Sequence, residues 1–162
     1  MTIAIGDRLP DAQLLRMGAD GPEPATLSTV LAGKTVGLFG VPGAFTRTCT
    51  ASHVPSFVDN ADALREKGIG AIVCVAVNDP FVMAAWSKET GAGAAGIEML
   101  ADADGQFTRA LGLAFDAPPV GFHGRSKRYA MVVEDGVVKR LDVEESPGVC
   151  DRSSGDAMLR AL

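Results

Sequence analysis

Residues 41–50, VPGAFTRTCT, set a single thiol, Cys49, behind a Pro42–Gly43 turn and among Thr46, Arg47, Thr48 and Thr50. A cysteine acts as a nucleophile through its thiolate, so what matters is whether these neighbours favour the anion. The apolar run before the turn, TVGLFGV, reads as a buried strand, and the residues after it have helical spacing, which puts Cys49 in the first turn of a helix. There the unpaired backbone N–H groups and the positive end of the helix dipole both favour negative charge. Thr46 offers a hydroxyl that donates to the sulfur or to a bound oxygen, Arg47 adds positive charge two residues away, and Pro42, with no N–H, packs over the entry against water. The other reading of Cys49 is a small buried hydrophobe, the commonest fate of an isolated cysteine. Thr48 equally fits an ordinary helix N-cap, and Arg47 a solvated surface charge.

The two remaining thiols differ in setting. Cys74 lies within AIVCVAV, an apolar β-branched run whose burial makes a thiol inert and structural. Cys150 lies in EESPGVCDRSSG, a stretch of turn formers that reads as an exposed, mobile loop. Three cysteines with no C-x-x-C pair suit neither a disulfide framework nor a zinc site. The missing pair also disfavours a general thiol–disulfide oxidoreductase.

These residues need a scaffold, and the chain of 162 residues is of a size for one domain, 1–162. Strands are expected at 35–41, in the run GIGAIVCVAV and at IEMLAD, alternating with helices at 48–68, after Asp79–Pro80, and at DGQFTRALGL. Pro55 falls inside the first long helix and predicts a kink or a broken first turn. RYAMVVEDGVVKRLDV reads as a hairpin turning on Asp135–Gly136, and SSGDAMLRAL as a closing helix. The fold class is α/β: a mixed central sheet flanked by helices, with an N-terminal hairpin extension. A net charge of −5 argues against nucleic acid or an anionic membrane as partner. No apolar run approaches the ~20 residues of a membrane-spanning helix. The N-terminal segment has no leader-like pattern, and a cytoplasmic location is expected.

PGAFTRTC carries the P-x-x-x-T-x-x-C signature, and with VNDPFVMAAW, DGQFTRALGL and SKRYAMVVEDGVV the chain resembles the type II, peroxiredoxin 5-like peroxiredoxins over nearly its whole length. The resemblance implies a thioredoxin-like fold and reduction of hydrogen peroxide and alkyl hydroperoxides without metal, haem, flavin or other cofactor. It makes Cys49 the peroxidatic cysteine, Thr46 the hydroxyl that orients the peroxide, Pro42 the shield and Arg128 the distant arginine that completes the site. By spacing alone Arg128, beside Lys127 and Arg125, is a solvated charge. Oxidised Cys49, a sulfenic acid, then needs a second thiol. In two-cysteine members that thiol follows the hairpin in a loop like that of Cys150. A Cys49–Cys150 disulfide requires Cα atoms within roughly 7 Å and hence local unfolding around Cys49. In one-cysteine members glutathione with glutaredoxin resolves it instead, and thioredoxin is the other reductant class. Arg47 stands where many members carry proline. His53, one turn after Cys49, is a candidate pocket residue or a packed neighbour. Phe45, Leu113 and Phe122 are candidates for an apolar collar, and each also fits core or dimer contact. A homodimer is implied by resemblance. The alternative function is a peroxide sensor that relays oxidation to a partner protein.

Overall fold

The computed structural model describes residues 1–162. The chain opens with a hairpin, β1 (Gln13–Gly18) and β2 (Gly21–Thr26), and a short helix, α1 (Leu27–Leu31). Then β3 (Thr35–Val41) leads through the Pro42–Thr46 turn into a π-helical turn (Cys49–His53) and α2 (Val54–Glu66). Next come β4 (Ala71–Ala76), α3 (Pro80–Thr90), β5 (Ile97–Ala101) and α4 (Gln106–Ala110). Two short strands, β6 (Ala114–Ala117) and β7 (Phe122–Ser126), precede the hairpin β8 (Tyr129–Glu134) and β9 (Val137–Val143), and α5 (Gly155–Ala161) ends the chain.

Seven strands form one sheet in the order β2-β1-β5-β4-β3-β8-β9. The central trio β3, β4 and β5 is parallel, and the outer pairings are antiparallel, so the sheet is mixed as the element order implies. The N-terminal hairpin joins the same sheet at its edge through β1 and β5. The inner strands are apolar on both faces because both are covered. In β3, Val36 and Leu38 face a cluster with α1 and α4, whereas Phe39 and Val41 face one with α2, α3 and α5. Cys49 and Cys74 belong to the second of these clusters. No helix is long and apolar enough to cross a membrane.

Local chemistry sets the element ends where the sequence suggests. The Asp79 side chain accepts from Val82 N at 2.9 Å and caps α3, with Pro80 at its first position. Asp135 and Gly136 take φ of 47° and 82°, the left-handed pair that a two-residue hairpin turn demands. The hairpin β6–β7 has no counterpart in the element order read from sequence. Its strands are short and irregularly paired, and a 3-10 turn at Pro118–Val120 joins them, so no alternating run marks it.

Candidate active site

The register of the sheet builds the site. β8 pairs antiparallel with β3 so that Tyr129 lies opposite Gly40, and a Cβ at position 40 would overlap the Tyr129 ring. One residue beyond that pair, the chain carries Arg128 on one side and turns at Val41–Pro42 on the other. The Arg128 carbonyl accepts from Glu144 N at 2.9 Å, so its backbone is held between β3 and the end of β9.

The turn itself is tightly braced. Ala44 N donates to Asn78 Oδ1 at 2.9 Å, and Arg125 Nη1 donates to the Pro42 carbonyl at 3.1 Å. Phe45 has φ of 63°, a conformation an aromatic residue adopts only when its surroundings impose it. The Thr46 carbonyl accepts from Thr50 N, making Thr46 the N-terminal flank of the helix and Cys49 a member of its first turn. Thr48 is already helical (φ −69°, ψ −36°) and is not a cap; its hydroxyl donates to the Gly148 carbonyl at 3.2 Å. Pro55 shows its effect just downstream. It has no N–H to offer, and the turn before it widens so that Val54 N bonds to Cys49 O, five residues back.

Cys49 is fully buried, and its sulfur accepts a hydrogen bond from Arg128 Nη2 at 3.2 Å. Arg128, 2% exposed, donates from Nε and Nη2 to the Pro147 carbonyl at 3.3 and 2.8 Å, and from Nη1 to His53 Nδ1 at 2.9 Å. No carboxylate is among its partners. Cys49 Sγ is therefore the one acceptor around this buried guanidinium that can carry a negative charge, and a buried cation strongly favours such a partner. The Thr46 hydroxyl donates to the Gly43 carbonyl at 2.6 Å, not to the sulfur, so serving a peroxide requires that its proton turn.

A pocket of about 570 Å³ opens here, lined by Pro42, Thr46, Arg128, Phe122, Val120 and the Pro147–Gly148 segment among others. Arg47 lies on its rim, exposed, with no hydrogen-bond or ion-pair partner that would account for it. Of the apolar collar, the structure brings only Phe122 to the pocket. Leu113 is 1% exposed in the cluster on the opposite face of the sheet, and Phe45 points outward, half exposed, away from the lining. His53 does not line the pocket either. It is fully buried against the stacked Phe39–Phe57 pair, with ring centroids 4.9 and 5.7 Å away.

The Cys150 loop is less free than its composition suggests. Cys150 is half-buried, and burial raises its thiol above the ordinary range although the charge of Arg128 works the other way. The segment is fastened at Pro147 by Arg128, at Gly148 by Thr48, and beyond Cys150 by the Glu144 carboxylate, which accepts from Asp151 N, Ser153 N and Ser153 Oγ at 2.6–2.9 Å. Burial opposes the charge of Glu144, but these hydrogen bonds and Arg152 outweigh it and hold the carboxyl below its usual range. Cys74 sits in the middle of β4, fully buried, and all three cysteines are unpaired. Sequence reasoning does not reach Arg125, Glu144, Asn78 or the Pro147 carbonyl. A carboxylate at the end of a strand, just ahead of a turn-rich loop, is the one local signal any of them gives.

A buried thiol facing a guanidinium at a helix start, on a mixed sheet of this order, defines a thiol-dependent redox protein. Residues 4–159 match the family model described as Redoxin. The chain is 47% identical to peroxiredoxin-2E-2, chloroplastic, of Oryza sativa subsp. japonica, over 99% of this chain and 73% of that one. It is 43% identical to peroxiredoxin-2B of Arabidopsis thaliana, covering 99% and 98% of the two. Among solved structures, reduced Prx3 of Vibrio vulnificus in complex with hydrogen peroxide superposes with a TM-score of 0.91 at 44% identity, covering 99% of each chain. The chain belongs to the type II peroxiredoxins within the redoxin family, and its activity is that of a thiol peroxidase.

Proposed function

We propose that Cys49 is the peroxidatic residue, with Arg128 holding its thiolate, Thr46 orienting the peroxide and Pro42 shielding the pocket. The observation that carries this is the buried Arg128 guanidinium, whose hydrogen-bond partners are two neutral acceptors and the Cys49 sulfur. The thiolate attacks the terminal peroxide oxygen, the O–O bond breaks, and the sulfur becomes a sulfenic acid while the other oxygen leaves as hydroxide or alkoxide and takes up a proton. Arg128, the Cys49 amide and a turned Thr46 hydroxyl are the donors available to the growing negative charge. Phe122 and Val120 on the pocket wall suit alkyl hydroperoxides as well as hydrogen peroxide.

The sulfenic acid is returned to thiol by a thioredoxin-type reductant, either through a Cys49–Cys150 disulfide or directly by glutathione with glutaredoxin. Proximity of Cys150 to Arg128 supports the first route, and the fastening of its loop supports the second. Intact mass and peptide mapping after one equivalent of peroxide separates them: a Cys49–Cys150 disulfide in wild type that Cys150→Ser lacks supports the first route. A glutathione-reactive sulfenic acid in both proteins excludes it. Arrest after one stoichiometric oxidation, with a full reductant system present, would instead mark a sensor. The same reading includes a homodimer, supported by the exposed apolar side chains Phe45, Val120 and Val149 near the pocket mouth, and a reducing compartment such as the cytoplasm, supported by three unpaired thiols.

A further inference from the structure

His53 is the one side chain in contact with Arg128 that the chemistry above does not use. Both of its ring nitrogens are engaged. Nε2 lies 2.9 Å from the Ser153 carbonyl, which only accepts, so Nε2 bears the proton; Nδ1 is then a bare lone pair and accepts from Arg128 Nη1 at 2.9 Å. The ring is packed against Phe39 and Phe57 and has no other orientation that satisfies both contacts. Ser153, in turn, is fixed through its N–H and hydroxyl by Glu144. A continuous chain therefore runs from Glu144 through Ser153 and His53 to Arg128 and ends on the Cys49 sulfur.

The kind of acceptor matters. A carboxylate in place of the imidazole would also fix the guanidinium, but it would neutralise the charge that the sulfur needs. A neutral imidazole fixes the fork and leaves the charge unspent. Burial, with the adjacent Arg128 charge, lowers His53 to about 3, so it stays a neutral acceptor throughout the neutral range, although the Ser153 carbonyl pulls the other way.

We propose that His53 is a positioning residue for the peroxidase reaction: as a neutral Nε2–H imidazole it orients Arg128 toward Cys49 without drawing off its charge. The inference rests on the roles given above to Cys49 and Arg128.

The first test is made on the wild-type protein. Imidazole nitrogen shifts of isotope-labelled, reduced protein at neutral pH should report a neutral ring protonated at Nε2 with Nδ1 accepting; an Nδ1–H ring or an imidazolium overturns the proposal, whatever Cys49 does. The second compares His53→Gln, whose amide offers an acceptor oxygen and a donor nitrogen on one rigid group, with His53→Leu, which offers neither. The Leu variant should lose roughly 10-fold to 100-fold in the second-order rate with hydrogen peroxide, the factor expected for one charge-assisted hydrogen bond. The pH profile of its reaction with a neutral alkylating agent should also differ from that of the wild type. The Gln variant should recover most of both. A folded Leu variant with wild-type rate and pH profile overturns the proposal, as does a folded Gln variant as slow as Leu. If the Leu variant does not fold, the wild-type nitrogen shifts and the Gln variant still decide. Peroxide turnover retained by Cys49→Ser would signal failure of the underlying reading, a result separate from either of these.

Discussion

Cys49 and Cys74 sit in the same apolar cluster, on the same face of the sheet, and both are fully buried. Their difference is one of partners. Cys74, in the middle of β4, has no side-chain hydrogen bond, and burial pushes its thiol well above the ordinary range, with Cys49 adding to the effect and Arg128 opposing it. Cys49 lies in a helix first turn and accepts directly from the Arg128 guanidinium. Burial by itself makes a thiol inert. Burial together with a cation that has no other anion to satisfy makes the thiolate the form that completes the structure.

The strongest way to break this contrast is to exchange the two sites' fates. Cys49→Ser should reduce peroxide consumption to background while Cys74→Ala keeps most of it, both followed as loss of peroxide under a complete reductant system. Next in size is the guanidinium. Arg128→Met removes the charge at similar length and should lower the second-order peroxide rate by roughly 10²–10³-fold, the scale seen when a preorganised donor is lost. Arg128→Lys keeps the charge but cannot reach Pro147, His53 and Cys49 together, and should fall between Met and wild type. A smaller effect tests the neutral environment of the site. His53 titrates near 6.5 when unfolded and is held down to about 3 when folded, so below 6.5 the unfolded chain binds the extra proton and the folded one does not. Stability supplied by this group is thus complete above 6.5 and is lost progressively as the pH falls toward 3. Thermal melts over that window should show a steeper acid loss in wild type and Cys74→Ala than in His53→Gln.

What could be read from the sequence follows how local the cause is. The run 35–41, the Asp79–Pro80 helix start, the Asp135–Gly136 turn and the inert setting of Cys74 are each written within a few consecutive residues. The widened turn at Cys49–His53 follows from Pro55 in the same way. Arg128 is different: 79 residues separate it from Cys49, and nothing near it in sequence distinguishes it from Lys127 or Arg125, so its place is legible only through family resemblance. The fastening of the Cys150 loop is hidden for a related reason. Apart from the Glu144 carboxylate, its acceptors are backbone carbonyls at Pro147, Gly148 and Ser153, and a backbone carbonyl has no residue type to betray it. His53 falls within the helical stretch expected at 48–68, whereas Leu113, the last residue of the helix expected over DGQFTRALGL, lies past the end of α4 in the connection to β6. Spacing does not say which face a kinked helix turns inward or which side of the sheet a short connection crosses.

The pairing of β3 with β8 also bears on when the protein becomes reactive. Residues 35–40 of the one meet 129–134 of the other, pairs that lie 89 to 99 residues apart in the chain. During synthesis, Cys49 and its helix emerge long before Arg128 does. A contact of such sequence separation must meet its loop-closure entropy before it gains anything, which makes it slow to form beside local helices and turns. Until Arg128 has been made and β8 has docked beside β3, Cys49 lacks the guanidinium that its sulfur faces in the finished fold. The proposed thiol site is therefore complete only once the distant halves of the sheet have joined.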